Sequence, residues 1–168
     1  MSDESTERTP DGHHIVVDGR RWRATDPDIP DTLRQELVDE LMAARRAVRT
    51  DGDTARPRVN DAKHALGERG YPRWEDPTDE ELATRIIATT RALLSKRAGR
   101  SICPSDVARV VGGSDERWRS AMPTVRSTVA QMAADGVVVV TQKGEVVDIA
   151  QARGPVRISF APAEGPSE

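Results

Sequence analysis

The sequence is short of aromatic residues, lysine and cysteine. Aromatics make up 3% of its 168 residues: Trp22, Trp74, Trp118, Tyr71 and Phe160. Aromatic side chains bury the largest areas, so so small a set leads each to be expected as a core anchor, with Trp22 and Trp74 completing a thin N-terminal core. Cys103 stands alone, which excludes an internal disulfide. The acidic start Met1-Ser2-Asp3-Glu4 lacks the basic-then-apolar pattern of a secretory signal, so a cytoplasmic location is expected. Lysine occurs only as Lys63, Lys96 and Lys143; the arginine bias is read as base composition of the gene. No apolar run approaches the roughly 20 residues needed to cross a bilayer, so no membrane partner is expected.

What is there suits a folded chain with a modest core: 36% hydrophobic and 32% charged residues, with a mean hydropathy of -0.60. The net charge of -3 hides an asymmetry. Residues 1–75 carry 13 basic and 16 acidic side chains, whereas residues 82–160 carry 12 basic and 6 acidic, a local excess of +6. Such an excess bears on an anionic partner more than the total does. The acidic group Glu75, Asp76, Asp79, Glu80 and Glu81 sits just before the basic stretch and offsets most of it.

Residues 1–12 are polar and without periodicity, and are expected to form a disordered tail. Asp18-Gly19 between His14-Ile15-Val16-Val17 and Arg20-Arg21-Trp22-Arg23 predicts a β-hairpin, because both turn positions favour positive φ. Leu33, Leu37, Leu41, Ala44 and Val48 recur at helical spacing from Thr32 to about Thr50, with Val38 and Met42 widening the stripe and Asp31 placed to cap the helix. A second helix is expected from Arg56 to Arg69, stopped by Gly70. These elements make a β-hairpin and helical-hairpin module over residues 13–70, followed by a proline-bearing linker at 71–77.

From Thr78 the pattern changes. Thr78 and Glu81 have capping-box spacing ahead of the stripe Leu82, Ile86, Ile87, Leu93 and Leu94. Ser101-Ile102 reads as a short extended piece, Pro104 opens a helix that Gly112-Gly113 ends, and Pro123 starts a third helix running to Asp135. Val137 to Thr141, a tight Lys143-Gly144 turn, Val146-Val147 and Pro155 to Phe160 supply a ribbon, and residues 161–168 a second tail. The predicted fold is thus α+β and mainly helical, with a winged helix-turn-helix over residues 78–160. In that fold the third helix enters the major groove and the ribbon tip touches the backbone. With Val125, Val129 and Met132 turned inward, Thr124, Ser127 and Gln131 face out and Arg126 lies on the flank; Arg117 and Arg119 precede the helix, and Gln142 and Lys143 mark the tip. These are the candidate contacts to double-stranded DNA. Winged helices also dock proteins, and Ala130 and Ala134 leave the outer face lightly armed.

The strings Ile102-Cys103-Pro104-Ser105-Asp106-Val107-Ala108-Arg109, Trp118-Arg119, Met122-Pro123-Thr124-Val125-Arg126 and Val140-Thr141-Gln142-Lys143-Gly144, with Ala152-Arg153-Gly154-Pro155-Val156-Arg157, resemble an uncharacterised bacterial winged-helix family. The resemblance implies a fold and no activity. Val17-Asp18-Gly19-Arg20-Arg21-Trp22 and Leu37-Val38-Asp39-Glu40-Leu41-Met42 resemble small actinobacterial proteins labelled biopolymer transporter Tol. Transport needs a membrane-spanning element, and the sequence has no run of that kind.

No catalytic constellation is found. Cys103 begins a helix, where a dipole lowers a thiol pKa, but no His lies in the C-terminal half to serve as its base. His13, His14 and His64 lack metal-site spacing, and neither Lys143-Gly144 nor Gly112-Gly113 belongs to a phosphate loop or a dinucleotide fingerprint. Glu36, Asp39 and Glu40 are spaced like a solvated helix face. No metal, cofactor or catalytic residue is therefore assigned. Two functions remain: a DNA-binding or DNA-associated accessory protein, and a protein-interaction adaptor. In the second, Leu37, Leu41 and Val48 of the N-terminal helices face a partner or a second copy of the chain.

Overall fold

The computed structural model describes residues 7–113 and 115–162. The chain is α+β and mainly helical, with a small antiparallel sheet near each end of the described region. Strands β1 (Glu7–Arg8), β2 (His14–Val17) and β3 (Arg20–Arg23) form the first sheet, in that order. Asp18 and Gly19, at φ 51° and 77°, make the expected tight turn, with Val17 opposite Arg20 and Ile15 opposite Trp22.

Residues 7–12, expected to belong to a disordered tail, are folded instead. Glu7 pairs with Val16 and Arg8 with Ile15. The segment between is the turn Pro10-Asp11-Gly12, where the Asp11 carboxylate accepts from the His13 amide at 2.9 Å and Gly12 sits at φ 74°. A Pro-Asp-Gly tripeptide carries turn chemistry of its own, and that signal outweighs the polar composition. The rest of both expected tails, residues 1–6 and 163–168, lies outside the described residues.

Helix α1 (Asp31–Asp51) follows Pro30, and Asp31 pairs with Arg34 at 2.7 Å rather than capping. A single 3-10 turn leads into α2 (Arg56–Ala65). This helix ends four residues before the expected Arg69, because Gly67 already adopts φ 75° and the Gly67 amide bonds the His64 carbonyl. Helix α3 (Asp79–Lys96) starts at the predicted capping box: Thr78 Oγ1 accepts from the Glu81 amide at 3.1 Å and Glu81 accepts from the Thr78 amide at 2.8 Å. Thr89 and Thr90, both buried, donate their hydroxyls back to the Arg85 and Ile86 carbonyls.

Helix α4 (Pro104–Gly112) begins as expected at Pro104, with Asp106 accepting from the Cys103 amide. Helix α5 (Trp118–Ala134) starts five residues before the expected proline, so Pro123 lies inside it. The proline removes only the donor that would reach the Arg119 carbonyl, close enough to the start for the helix to tolerate it. Strands β4 (Val138–Gln142), β5 (Glu145–Val146) and β6 (Arg157–Phe160) form the second sheet in the order β5-β4-β6. Ile102 joins the free side of β6 as a single rung, exchanging both backbone bonds with Ile158.

One apolar cluster runs from Leu37 and Leu41 of α1 through Leu66, Ile86 and Leu93 to Val107, Val129 and Ile158. Helix α3 is its centre, packing on α1, α2, α4 and α5. The cluster is aliphatic. Trp22, Trp74 and Phe160, expected as core anchors, are 43%, 38% and 43% exposed. Trp74 stacks flat on His13 at 3.7 Å between ring centres, and Trp22 stands under the cations of Arg20 and Lys63. Leucine, isoleucine and valine drawn from both halves fill the interior that Trp22 and Trp74 were expected to complete in the N-terminal half.

Candidate functional site

The eight residues expected at a DNA contact fall into two groups. On the α5 side, Arg117 binds Asp115 at 2.8 Å and lies 3.9 Å from Asp28, and Arg119 binds Glu116 at 3.1 Å. The Arg117 guanidinium holds the Asp115 carboxyl below the usual carboxylate range through its hydrogen bonds. Arg126, half-buried, donates one Nη2 to the carbonyls of Ile149 (3.0 Å) and Ala152 (2.7 Å). It fastens the loop between β5 and β6 to the helix. Thr124 is half-buried; Ser127 donates to the Thr124 carbonyl and Gln131 to Asp135 at 3.0 Å.

At the ribbon, Gln142 donates to the Arg153 and Pro155 carbonyls. Lys143, at φ 52° in the turn, is exposed and has no carboxylate within ion-pair range among the described residues. The geometry thus leaves Lys143 as the one cation of the set that is not already engaged. On the exposed side of α5, Arg119 is a cation paired with Glu116, and beyond it stand the Ser127 hydroxyl and the Gln131 amide.

A second feature lies where the hairpin meets the N-terminal helices. A groove of about 540 Å³ runs between β2–β3, α1 and α2, with Ile15, Val17, Trp22, Val38, Met42 and Leu66 among its apolar walls. Its cations are Arg23, Arg45 and Lys63, and its only carboxylate is Glu68, which already accepts from the Thr25 hydroxyl at 2.7 Å. A recess of about 320 Å³ adjoins it, lined by Arg45, Val48, Arg56, Val59 and Arg69. Arg45 lines both. Among the described residues Arg23, Arg45, Lys63 and Arg69 form no ion pair. Burial pushes the Lys63 ammonium pKa down, and the Arg69 and Arg45 charges push it the same way, against the opposing pull of the Glu68 carboxylate.

Leu37 and Leu41, expected to face a partner, are instead buried in the intramolecular core. Their stripe is used up by packing against the neighbouring helices. Val38 and Met42, one step round the helix and four residues apart, line the groove instead; Met42 is 42% exposed.

Two further sites offer polar chemistry. A cavity of about 560 Å³ is lined by Glu36, Arg97, Arg100, Ser101 and Arg157. Arg97 there is held by Glu36 and Asp106, each at 3.0 Å, and Arg157 donates to Cys103 Sγ and to Ser101. No histidine lines it, so Cys103 has no general base in place. A cleft of about 240 Å³ lies beside Asp26, Arg73 and Arg85. Among the described residues no group of three or more His, Cys, Asp and Glu side chains is arranged to hold a metal ion. No described helix is long and apolar enough to cross a membrane.

No curated protein matches the chain. Residues 81–161, which run from the first turn of α3 to the end of the second sheet, match a family whose description is Protein of unknown function (DUF3253).

Proposed function

We propose that this chain is a non-catalytic protein-interaction adaptor, with a winged helix-turn-helix as its C-terminal half and the N-terminal groove as its docking surface. The winged-helix reading is supported by the order of elements: α3, the Ile102 rung, α4, α5, then the β4–β6 ribbon with its β5 hairpin. The adaptor reading rests on one observation. Three of the large apolar side chains left exposed, Val17, Trp22 and Met42, line one groove on the N-terminal elements, beside Arg23, Arg45 and Lys63, which form no ion pair among the described residues.

DNA association is the second reading, favoured by exposed Lys143 at the ribbon turn and by the Thr124, Ser127 and Gln131 side chains along α5. It has fewer free charges to draw on than the sequence suggests, since Arg117 and Arg119 are ion-paired and Arg126 holds backbone carbonyls. Phosphate contacts supply most of the affinity of non-specific binding, so the loss weighs against this reading.

A photocrosslinking amino acid placed in turn at Met42 and Ser127, both exposed, separates the two. Irradiation in cells gives protein adducts from position 42 if the chain is an adaptor. Nucleic-acid adducts from position 127, with none to protein from position 42, reject it in favour of DNA.

A further inference from the structure

The groove and its neighbouring recess together specify the chemistry of what they hold. We propose that they bind an acidic amphipathic helix of another protein, its apolar stripe on the floor formed by Val38, Met42 and Trp22 and its carboxylates against Arg45, Lys63 and Arg69. This rests on the adaptor reading and adds the class of partner.

Shape comes first. The two depressions share Arg45 as a wall and lie in succession along α1, from Val38 in the larger to Val48 in the smaller. Ten residues of helix are about 15 Å long, so the pair presents a trough that about three turns of a second helix would fill. Apolar anchors from successive turns seated in a groove are a recurrent mode of peptide recognition, and Met42 supplies the unbranched, adaptable side chain common on such surfaces.

Charge comes second. The trough carries more cations than its own carboxylates answer: Arg56 pairs with Asp53 and Glu68 acts on Lys63, whereas Arg23, Arg45 and Arg69 form no ion pair among the described residues, Arg23 donating to the Gly70 carbonyl and Arg69 to the Asn60 side chain. Glu40, the one acidic side chain of α1 buried nearby, is taken bidentately by Arg58 at 2.9 and 3.1 Å. A partner with carboxylates flanking its apolar stripe supplies the missing counter-charge, and one with lysines there is repelled.

Third, the surface is a poor host for single-stranded nucleic acid, the other polyanion. Base binding relies on a free aromatic face. The Trp22 ring is already attended by Arg20 at 5.0 Å and Lys63 at 5.3 Å from its centre, and no other aromatic side chain lines the groove.

The test uses the full chain and fluorescence anisotropy. The probes are a labelled peptide of about four turns with leucines on one face and Glu or Asp elsewhere, a scrambled isomer of it, a version with Lys for each acid, and oligothymidine. Titrations run at about 50 and about 200 mM salt, which shortens the screening length. The acidic peptide binds, more weakly at the higher salt, and the scrambled and lysine versions bind at least about tenfold more weakly. Met42→Glu and Arg45→Glu each weaken the acidic peptide at least about tenfold, while Arg100→Glu, in the separate cavity beside Arg97, leaves it unchanged. Both altered groove positions are exposed, and unchanged far-ultraviolet dichroism and Tm establish that the variants fold. No binding of the acidic peptide at the lower salt overturns the proposal. So does equal binding of the scrambled isomer, indifference to Met42→Glu, or a preference for oligothymidine. Protein crosslinks from Met42 without binding of the acidic peptide leave the adaptor standing and remove this partner class.

Discussion

Arg85 and Asp26, 59 residues apart, meet at 3.1 Å inside the molecule, the guanidinium 4% and the carboxylate 5% exposed. The same Nη2 donates to the Ala65 carbonyl at 3.1 Å and lies 3.4 Å from that of Val110. One side chain of α3 therefore ties the segment before α1 to the ends of α2 and α4. Removing one partner of a buried pair strands the other charge, at a cost of about 3–5 kcal/mol. Arg85→Ala is expected to lower unfolding free energy by that order in urea titration, and dichroism and Trp fluorescence should report one shared transition in the parent. Two separated transitions would mean that the common core does not couple the halves.

Gly112 presents a different constraint. A Cβ built there would lie 2.7 Å from the Trp118 Cα, a backbone atom that cannot swing aside. Gly112→Ala should push α4 and α5 apart and cost about 1–3 kcal/mol, the range for overfilled interiors. Gly136→Ala is the comparison: nothing lies within 4 Å of its added Cβ, and only the backbone conformation at φ 77° resists. Thermal melts of both variants should show the larger loss at 112.

Asp61 sits 3.5 Å from Arg91, yet burial outweighs that attraction and pushes its pKa up to about 6, from 3.8. The folded state then holds the proton more tightly than the unfolded chain does. Stability falls as pH rises through the interval between those two values, and is flat in this group's contribution on either side. Asp61→Asn should be more stable than the parent well above pH 6 by on the order of 3 kcal/mol, at about 1.4 per unit, with the gap closing below pH 4. Denaturant midpoints measured from pH 3.5 to 8 check both the sign and the window.

Arg126 distinguishes a structural role from a phosphate contact. Its Nη2 serves two carbonyls in the loop before β6, so Arg126→Ala should lower Tm by several degrees, at about 2–4 °C per kcal/mol. Its effect on random duplex, measured by anisotropy at about 50 mM salt, should be slight, with any salt slope nearer one contact than four. A slope near -4 that Arg126→Ala and Lys143→Ala together cut to about -2 would restore the DNA reading.

Where a feature depended on neighbours in sequence, it could be read in advance. The Thr78–Glu81 box, the Asp18-Gly19 turn and the start of α4 at Pro104 all follow from local bonding. Features set by distant segments could not. The Arg85–Asp26 contact leaves no trace in spacing, and the fate of Trp22 depended on whether aliphatic side chains from the other half reached the interior first. Charge counting falls short for the same reason. The basic excess after residue 82 is partly answered by carboxylates from earlier in the chain, Asp26 on Arg85, Asp61 on Arg91 and Glu36 on Arg97, whereas Arg45, Lys63 and Arg69 form no ion pair among the described residues. Which arginines stay available is decided by pairing, a property of the folded chain.

The C-terminal sheet has unusually brief margins: the two-residue β5 on one side, and the lone Ile102 rung on the other. A rim that offers so few backbone donors and acceptors gives a neighbouring molecule nothing to zip onto. Concentrated solutions of the protein should accordingly resist fibril growth through this sheet, and self-association, where it occurs, would have to proceed by side chains.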